Sequence, residues 1–215
     1  RGIGVVGAAF AAIDGAEGVV LAVPDTAIGK VAGMVVPKLA PGTIVVILDA
    51  AAPFAGHLPE RADITYFVTH PCHPTIFTKE TTEAGRNDHF GGVAAEQAVV
   101  NALMQGPDEH YAIGDKVARA IYAPVHRTHR VTVEQMAYLE PGLSETVCAS
   151  LLVVMREAME EVIKTGVPRE CARDFLLGHM NILGAVIFEE VDGVFSDACN
   201  KAIEFGKPML MRDDW

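Results

Sequence analysis

Ile64-Thr65-Tyr66-Phe67-Val68-Thr69-His70-Pro71-Cys72-His73-Pro74 decides the reading of this chain. Its first five residues are β-branched or aromatic, the composition of a buried strand. Pro71 and Pro74 each lack a backbone N–H and push the preceding residue out of the α region, so the strand is expected to stop there in a stiff turn. Two imidazoles, His70 and His73, are then presented beyond the carboxyl end of a strand. In open parallel α/β sheets, ligands bind at that end.

Upstream, Val19-Val20-Leu21-Ala22-Val23 is apolar without alternation, which predicts a strand covered on both faces. Pro24-Asp25-Thr26 closes it, and Asp25 or Thr26 is expected to cap a helix carrying Ile28, Val31 and Val35 along one face. Pro41-Gly42 turns the chain into a second buried strand, Thr43 to Leu48, followed by a small-residue loop, Asp49-Ala50-Ala51-Ala52-Pro53. Strands alternating with helices predict an α/β, Rossmann-like half.

Downstream, Glu80 to Asn87 is polar and reads as a mobile surface loop, and Ala98 to Met104 returns to strand character. Pro107 opens a helix with Asp108 and Glu109 in its first turn, running to about Tyr122. Pro124 to Val131, with His126 and His129, reads as a last, more polar strand. Beyond Val131 the pattern is helical. Thr132 to Leu139 predicts a short helix broken by Glu140-Pro141-Gly142, and Leu143, Val147, Leu151, Val154, Ala158 and Val162 mark one face of a long helix. Gly166 stops that helix and Pro168 opens the next. In that next helix, Phe175 to Phe188 offers only His179 and Asn181 as clearly polar side chains. A helix apolar on all sides must be buried on all sides, and a partner subunit is the expected cover. Ser196 is expected to cap a last helix ended by Gly206 and Pro208. The reading is two domains, 1–130 and 131–215.

Half of the 215 residues are hydrophobic and the mean hydropathy is +0.27. No apolar run reaches the ~18 residues of a membrane span, so the excess is expected to be buried internally or between subunits. A net charge of −11 without a basic cluster argues against nucleic acid and anionic membranes. Cys72, Cys148, Cys171 and Cys199 show no paired spacing, which predicts reduced thiols in a cytoplasmic protein. Arg1-Gly2-Ile3-Gly4 leads into a helical run without an initiator Met, as expected of a fragment or of a chain numbered without its disordered parts.

Leu21-Ala22-Val23-Pro24-Asp25, Pro41-Gly42-Thr43 and the strand into Thr69-His70-Pro71 resemble the second half of the NAD(P)-binding domain of β-hydroxyacid dehydrogenases and pyrroline-5-carboxylate reductases. Pro141 to Phe188, with Thr165-Gly166-Val167-Pro168 between two long helices, looks like their all-α dimerisation domain. More narrowly, His70-Pro71-Cys72-His73-Pro74, Leu139 to Thr146 and Ser196 to Lys201 resemble the oxidoisomerase branch of the phosphogluconate-dehydrogenase-like group. The family opens with a strand and a glycine-rich phosphate loop, and no GxGxxG occurs here; Gly2-x-Gly4 and Gly7 lack the apolar strand that should precede them. The implied fold is a Rossmann-like NAD(P)-binding domain without its first strand and glycine loop, followed by a helical dimerisation domain.

The resemblance implies a cytoplasmic homodimer that oxidises the 2-hydroxyl of a D-apionate-like branched sugar acid with NAD, NADP being left open, and then rearranges the 2-keto-3-hydroxy acid. That chemistry needs a hydride acceptor, a base for the hydroxyl proton and a group that polarises two adjacent oxygens. A divalent metal suits the last task. His70 and His73 are candidates for base or metal ligand, since imidazole titrates near neutrality and suits Zn²⁺, Mn²⁺ or Fe²⁺; the bland reading is a capped turn. Glu140, held outside helical geometry by Pro141, is a candidate catalytic group or third metal ligand. Glu145, in the first turn of the long helix, is either catalytic or a match to the helix dipole. Ala22, Pro24, Asp25, Asp49, Ala50 and Ala51, with His70, would line the cofactor cleft, although Asp25 also reads as an N-cap. Asn200 and Lys201 would clamp the substrate carboxylate or lie on a solvated helix face. His179 reads as a satisfied core histidine. The alternatives are a simple dehydrogenase of another hydroxy or phospho-sugar acid, and a non-catalytic dimerising remnant.

Overall fold

The computed structural model describes residues 12–211. The glycines expected near the start, Gly2, Gly4 and Gly7, and the helical run beside them lie outside those residues. A five-stranded sheet is ordered β1 (Gly18–Leu21), β2 (Ile44–Ile47), β3 (Thr65–Pro71), β4 (Gln97–Gln105) and β5 (Val125–Arg130). β1, β2 and β3 are mutually parallel, β4 runs antiparallel to β3, and β5 is parallel to β4. The apolar runs of β2 and β3 became inner strands because both of their faces are covered, whereas the Val19–Val23 run, expected to be covered in the same way, forms β1 at the edge of the described sheet with Val20 exposed. On one face, α1 (Asp25–Val35) packs Ile28, Ala32 and Val35 with Val45, Ile47 and Tyr66. On the other, Phe67 and Val99 pack with Ala118 of α4 (His110–Ile121). A Cβ on Gly114 would lie 2.3 Å from the Phe67 ring, so only glycine lets α4 approach that closely.

The strand alternation puts Tyr66, Val68 and His70 on one face and Phe67 and Thr69 on the other. Thr69 donates to Asn101 at 2.6 Å, and Asn101 donates to Asp115, which Arg119 holds at 2.9 Å. These buried polar groups are therefore paired, as burial requires.

The chain divides into two compact units, the first ending at Leu152 and the second beginning at Val153, later than the boundary expected near Val131. In the first unit, α5 (Val133–Ala137) opens with a capping box between Thr132 and Gln135. Its Met136 is buried with Val68 and Val100. The second unit holds most of α6 (Ser150–Lys164), together with α7 (Arg169–Ile187) and α8 (Asp197–Leu210). Gly166, at φ 103°, ends α6, Pro168 precedes α7, and Ser196 accepts from the Cys199 N–H to cap α8, all as expected. No described helix is long and apolar enough to cross a membrane.

Several local expectations are overturned. β3 does stop at the first proline, but it extends beyond Val68, so that Thr69, His70 and Pro71 belong to the strand and Pro71 takes its last position, where the missing N–H costs little. Asp25 and Thr26 do not cap α1; Pro24 takes the cap position and no side chain does. The loop after β2 contains a helical turn, α2 (Ala51–Phe54). The polar stretch 80–87 contains α3 (Glu83–Asn87), capped by Thr82. Asp108 and Glu109 precede α4 rather than forming its first turn. Glu140-Pro141-Gly142 does not break the chain, because residues 138–149 continue as a π-helix between α5 and α6. Proline cannot donate to the i−4 carbonyl and its ring crowds it, and wider winding relieves both. Hydroxyls complete the bonding: Ser144 donates to the Glu140 carbonyl and Thr146 to that of Pro141. α8 continues through Gly206 and Pro208 to Leu210.

Candidate active site

The site is built at the carboxyl ends of β2 and β3. β2 ends at Ile47, paired with Val68, so β3 continues beyond its parallel neighbour with only β4 at its side. Extending that register sets Asp49 level with His70. Packing of Met136 against Val68 and Val100 then brings the π-helical segment over this sheet edge. Glu140, in its first turn, reaches His70: Nε2 to Oε1 is 2.9 Å. The other Glu140 oxygen accepts from the Ala50 N–H at 3.4 Å.

The protonation of His70 follows from its neighbours. Nδ1 lies 2.8 Å from the Pro71 carbonyl, which can only accept, so Nδ1 carries a proton. With Nε2 facing a carboxylate, the ring is a double donor, an imidazolium. Burial works against that charge, but the hydrogen bond and charge of Glu140, the Pro71 carbonyl and Asp49 outweigh it, and the His70 pKa is raised. Burial likewise opposes charge on Glu140, yet the bonds from His70, Asp49 and the Ala50 N–H win and its carboxyl is held below the ordinary range. Asp49 goes the other way. It is buried, with 5% of its surface exposed. Burial first, then the hydrogen bond to Glu140 and that group's charge, push its carboxyl up to about 6, against a bond from the Ala51 N–H. The two carboxyls are thus driven apart in proton affinity, Asp49 upward and Glu140 downward.

A cavity of about 440 Å³ opens beside this chain of groups. His70, Cys72, His73, Glu140, Ser144 and Glu145 supply its polar lining, with Val100, Met136, Leu139 and Leu143 as apolar wall. The cavity thus gathers His70, His73, Glu140 and Glu145, the expected catalytic set. Glu140 and Glu145 get there as π-helical residues, not as a kink and a first turn. His73 is exposed, at φ 61°; its Nδ1 donates to the Phe90 carbonyl, and its ring lies edge-on to His70 at 6.0 Å.

The expected cofactor-lining residues sit at neighbouring strand ends. Ala22, Pro24 and Asp25 are exposed where β1 passes into α1, and Ala51 is exposed at the start of α2. Ala50 is fully buried and serves Glu140 through its backbone. Asp49 belongs to the His70–Glu140 group, a role missed from sequence. Its one signal is an acid directly after a fully apolar strand. Asn200 and Lys201 lie exposed on α8 in the second unit, where Asn200 donates to the Phe195 carbonyl. His179, expected in a core, is exposed in the described chain, stacks on Phe175 at 4.0 Å and donates to its carbonyl.

The donor set does not fit the expected metal. Both His70 nitrogens are engaged, the carbonyl-bound Nδ1 of His73 is a donor, and no three His, Cys, Asp or Glu side chains among the described residues converge on a metal position. A dinucleotide is better served. The first-turn N–H groups of α1 have no side-chain cap, and the methyl groups of Ala22 and Ala51 leave the adjacent backbone open to a ligand.

A family model, phosphogluconate dehydrogenase (decarboxylating) C-terminal, matches residues 78–215. The D-apionate oxidoisomerase of Rhizobium rhizogenes is 72% identical over 95% of this chain and 74% of its own length. That of Cupriavidus necator is 67% identical over the same shares, 95% and 74%. A semialdehyde dehydrogenase NAD-binding protein from Cupriavidus necator, solved in complex with calcium and NAD, superposes with a TM-score of 0.94 at 66% identity, covering 97% of this chain and 75% of that one.

Proposed function

The chain belongs to the phosphogluconate-dehydrogenase-like family that includes the D-apionate oxidoisomerases, and we propose that it carries out the NAD-dependent oxidation of a D-apionate-like sugar acid coupled to a ketol rearrangement. The observation that carries this reading is the His70–Glu140 pair, 2.9 Å apart, lining a cavity at the carboxyl ends of parallel strands. NAD, when bound, supplies the hydride acceptor for C2 of the substrate. Ala22, Pro24, Asp25 and Ala51 would hold it beside the cavity.

The protein's own groups handle protons and charge. The His70 imidazolium donates toward the C2 oxygen, while Glu140 accepts the proton of the 2-hydroxyl as the carbon is oxidised. Once Glu140 has released that proton to solvent, the same pair is used again in the rearrangement. A carbon substituent leaves C3 for C2, the 3-hydroxyl gives its proton to Glu140, and His70 protonates the oxygen that becomes an alkoxide at C2. Ser144 and Glu145, which also line the cavity, suit the hydroxyl groups of a polyol. Asn200 and Lys201 of a second copy of the chain would bind the carboxylate. A helical unit whose α6 and α8 bury no residue in the single chain supports a homodimer through this part. Four unbridged cysteines suit a reducing, cytoplasmic setting.

The test is to incubate the full-length protein and NAD with D-apionate, D-gluconate and 6-phosphogluconate, following NADH by absorbance and carbon skeletons by NMR. NADH with D-apionate and a rearranged skeleton is the expected result. NADH with an unrearranged product would reduce the reading to a simple dehydrogenase, and no turnover of D-apionate would reject it.

A further inference from the structure

Strand alternation sorts the basic residues of β5 onto the two faces of the sheet. Thr128 accepts from Arg119 of α4 at 2.9 Å, and Arg130 pairs with Asp108 and lies over the Tyr111 ring. Those two residues therefore point to the α4 side. Arg127 and His129, between and beside them in the strand, point to the other face.

That other face carries the cavity. On it His70 pairs with Val100, and the Cys72 N–H donates to the Ala98 carbonyl at 2.9 Å. β4 passes both rows on to β5, where Ala98 pairs with Arg127 and Val100 with His129. Cys72, Ala98 and Arg127 thus form one row, and His70, Val100 and His129 the next. Val100 is buried with Met136, which fixes the side independently of the counting. Two strand spacings, roughly 10 Å, separate the cavity residue of each row from its basic residue.

Arg127 and His129 are exposed, and neither side chain has a hydrogen bond or ion pair among the described residues. Arg119 and Arg130, on the α4 side, are each matched to an acid. In a chain of net charge −11, a guanidinium left without an acid beside a polar cavity suits an anion brought from outside. Its charge is also felt at the Cys72 thiol of the cavity lining.

We propose that Arg127, assisted by His129, binds the carboxylate of the sugar acid, so that C2 is held between the His70–Glu140 pair and an anchor on the same sheet face. The inference rests on the reading of His70 and Glu140 given above. The carboxylate is bonded directly to C2, so its anchor has to lie close to the pair, and the long arginine side chain spans much of the gap. A guanidinium offers a carboxylate two parallel N–H bonds, which orient the C1–C2 bond as well as hold it. Asn200 and Lys201 of a second copy would add to this grip; Arg127 supplies it within the chain that carries the pair. Neutral derivatives of the same skeleton, lacking the charge, are then discriminated against.

Guanidinium ¹⁵Nε–¹H signals of the full-length protein read the contact directly. They are recorded in the presence of NADH, which cannot accept hydride, while sodium D-apionate or its neutral amide is added. The Arg127 signal is expected to shift with the acid and to stay in place with the amide. In turnover with NAD, Arg127→Met should lower kcat/KM for D-apionate about tenfold to a hundredfold, with NADH affinity and kcat/KM for the amide within about threefold of wild type. Arg127→Lys, which keeps the charge but loses the fork, should recover part of the loss. A wild-type signal that ignores the acid, or answers acid and amide alike, overturns the proposal whether or not any variant folds. So does an Arg127→Met variant that loses acid and amide turnover equally, or neither. An Arg127 signal that answers the acid alone, in a protein that does not oxidise D-apionate, would leave the carboxylate site standing and defeat the functional reading instead.

Discussion

The sheet unit and the helical unit solve the same problem, an excess of apolar side chains, in opposite ways. In the first, Val45, Ile47, Phe67 and Val68 are fully enclosed by the chain's own helices. In the second, α7 buries only Ala172 and Ala185, while Phe175, Leu177, Ile182 and Ile187 face outward. Met155, Met159, Val162, Phe175 and Leu176 line an apolar groove of about 570 Å³ within that unit. The sheet unit buries its apolar strands with its own helices and carries a polar site at the strand ends. The helical unit leaves its apolar side chains uncovered among the described residues, where the proposed reading places another copy of the chain.

That contrast can be broken by truncating one phenylalanine in each unit. Phe67→Ala should cost about 3–5 kcal/mol of folding stability, because the ring is enclosed and packs directly against Gly114 of α4. Phe175→Ser should leave the thermal midpoint of a dilute monomer almost unchanged, since its ring is 67% exposed, and should weaken self-association in sedimentation. Equal thermal losses in the two variants, with no change in association, would show that the units are not built differently.

A second, smaller effect belongs to the sheet unit alone. Asp49 titrates at about 6 in the folded protein and near 3.9 when unfolded. Between those values the folded state holds the extra proton, so stability falls as pH rises through the window and levels off above it. Asp49→Asn should remove that fall and be more stable at pH 7 by on the order of 2 kcal/mol, measured as urea midpoints from pH 4 to 8. An unchanged pH dependence would mean that the carboxyl is not held protonated by the fold.

The smallest effect sharpens the helical side. No atom lies within 4 Å of a Cβ built on Gly178. Gly178→Ala should therefore raise monomer stability by about 0.5–1 kcal/mol through helix propensity. A loss of dimer in this variant would place Gly178 inside the subunit interface.

The parallel strands were legible because Val45 to Ile47 and Tyr66 to Val68 are apolar without alternation, a pattern that both-faced burial imposes locally. His70, Glu140 and the gathering of His73 and Glu145 could also be anticipated, from their place beside prolines and at element ends. The details that failed depend on what lies across space. Pro71 stays in β3 because its partner strand asks nothing of its missing N–H. Pro141 widens a helix where local rules predict a break, and that widening sets the direction in which Glu140 points. Asp25 looked like a cap and is not one. The place of Asp49 beside the His70–Glu140 pair was not legible. Its partner Glu140 is far along the chain, on a helix held by Met136, and no local pattern announces such a meeting.

The central claim is that oxidation takes place at the His70–Glu140 pair of the sheet unit. Single-turnover formation of NADH from D-apionate by the full-length protein tests it, comparing wild type with Glu140→Gln at saturating NAD. The account predicts a rate at least about a hundredfold lower in the variant, in a protein that still melts cooperatively. A variant within threefold of wild type would move the chemistry away from this pair and contradict the assignment.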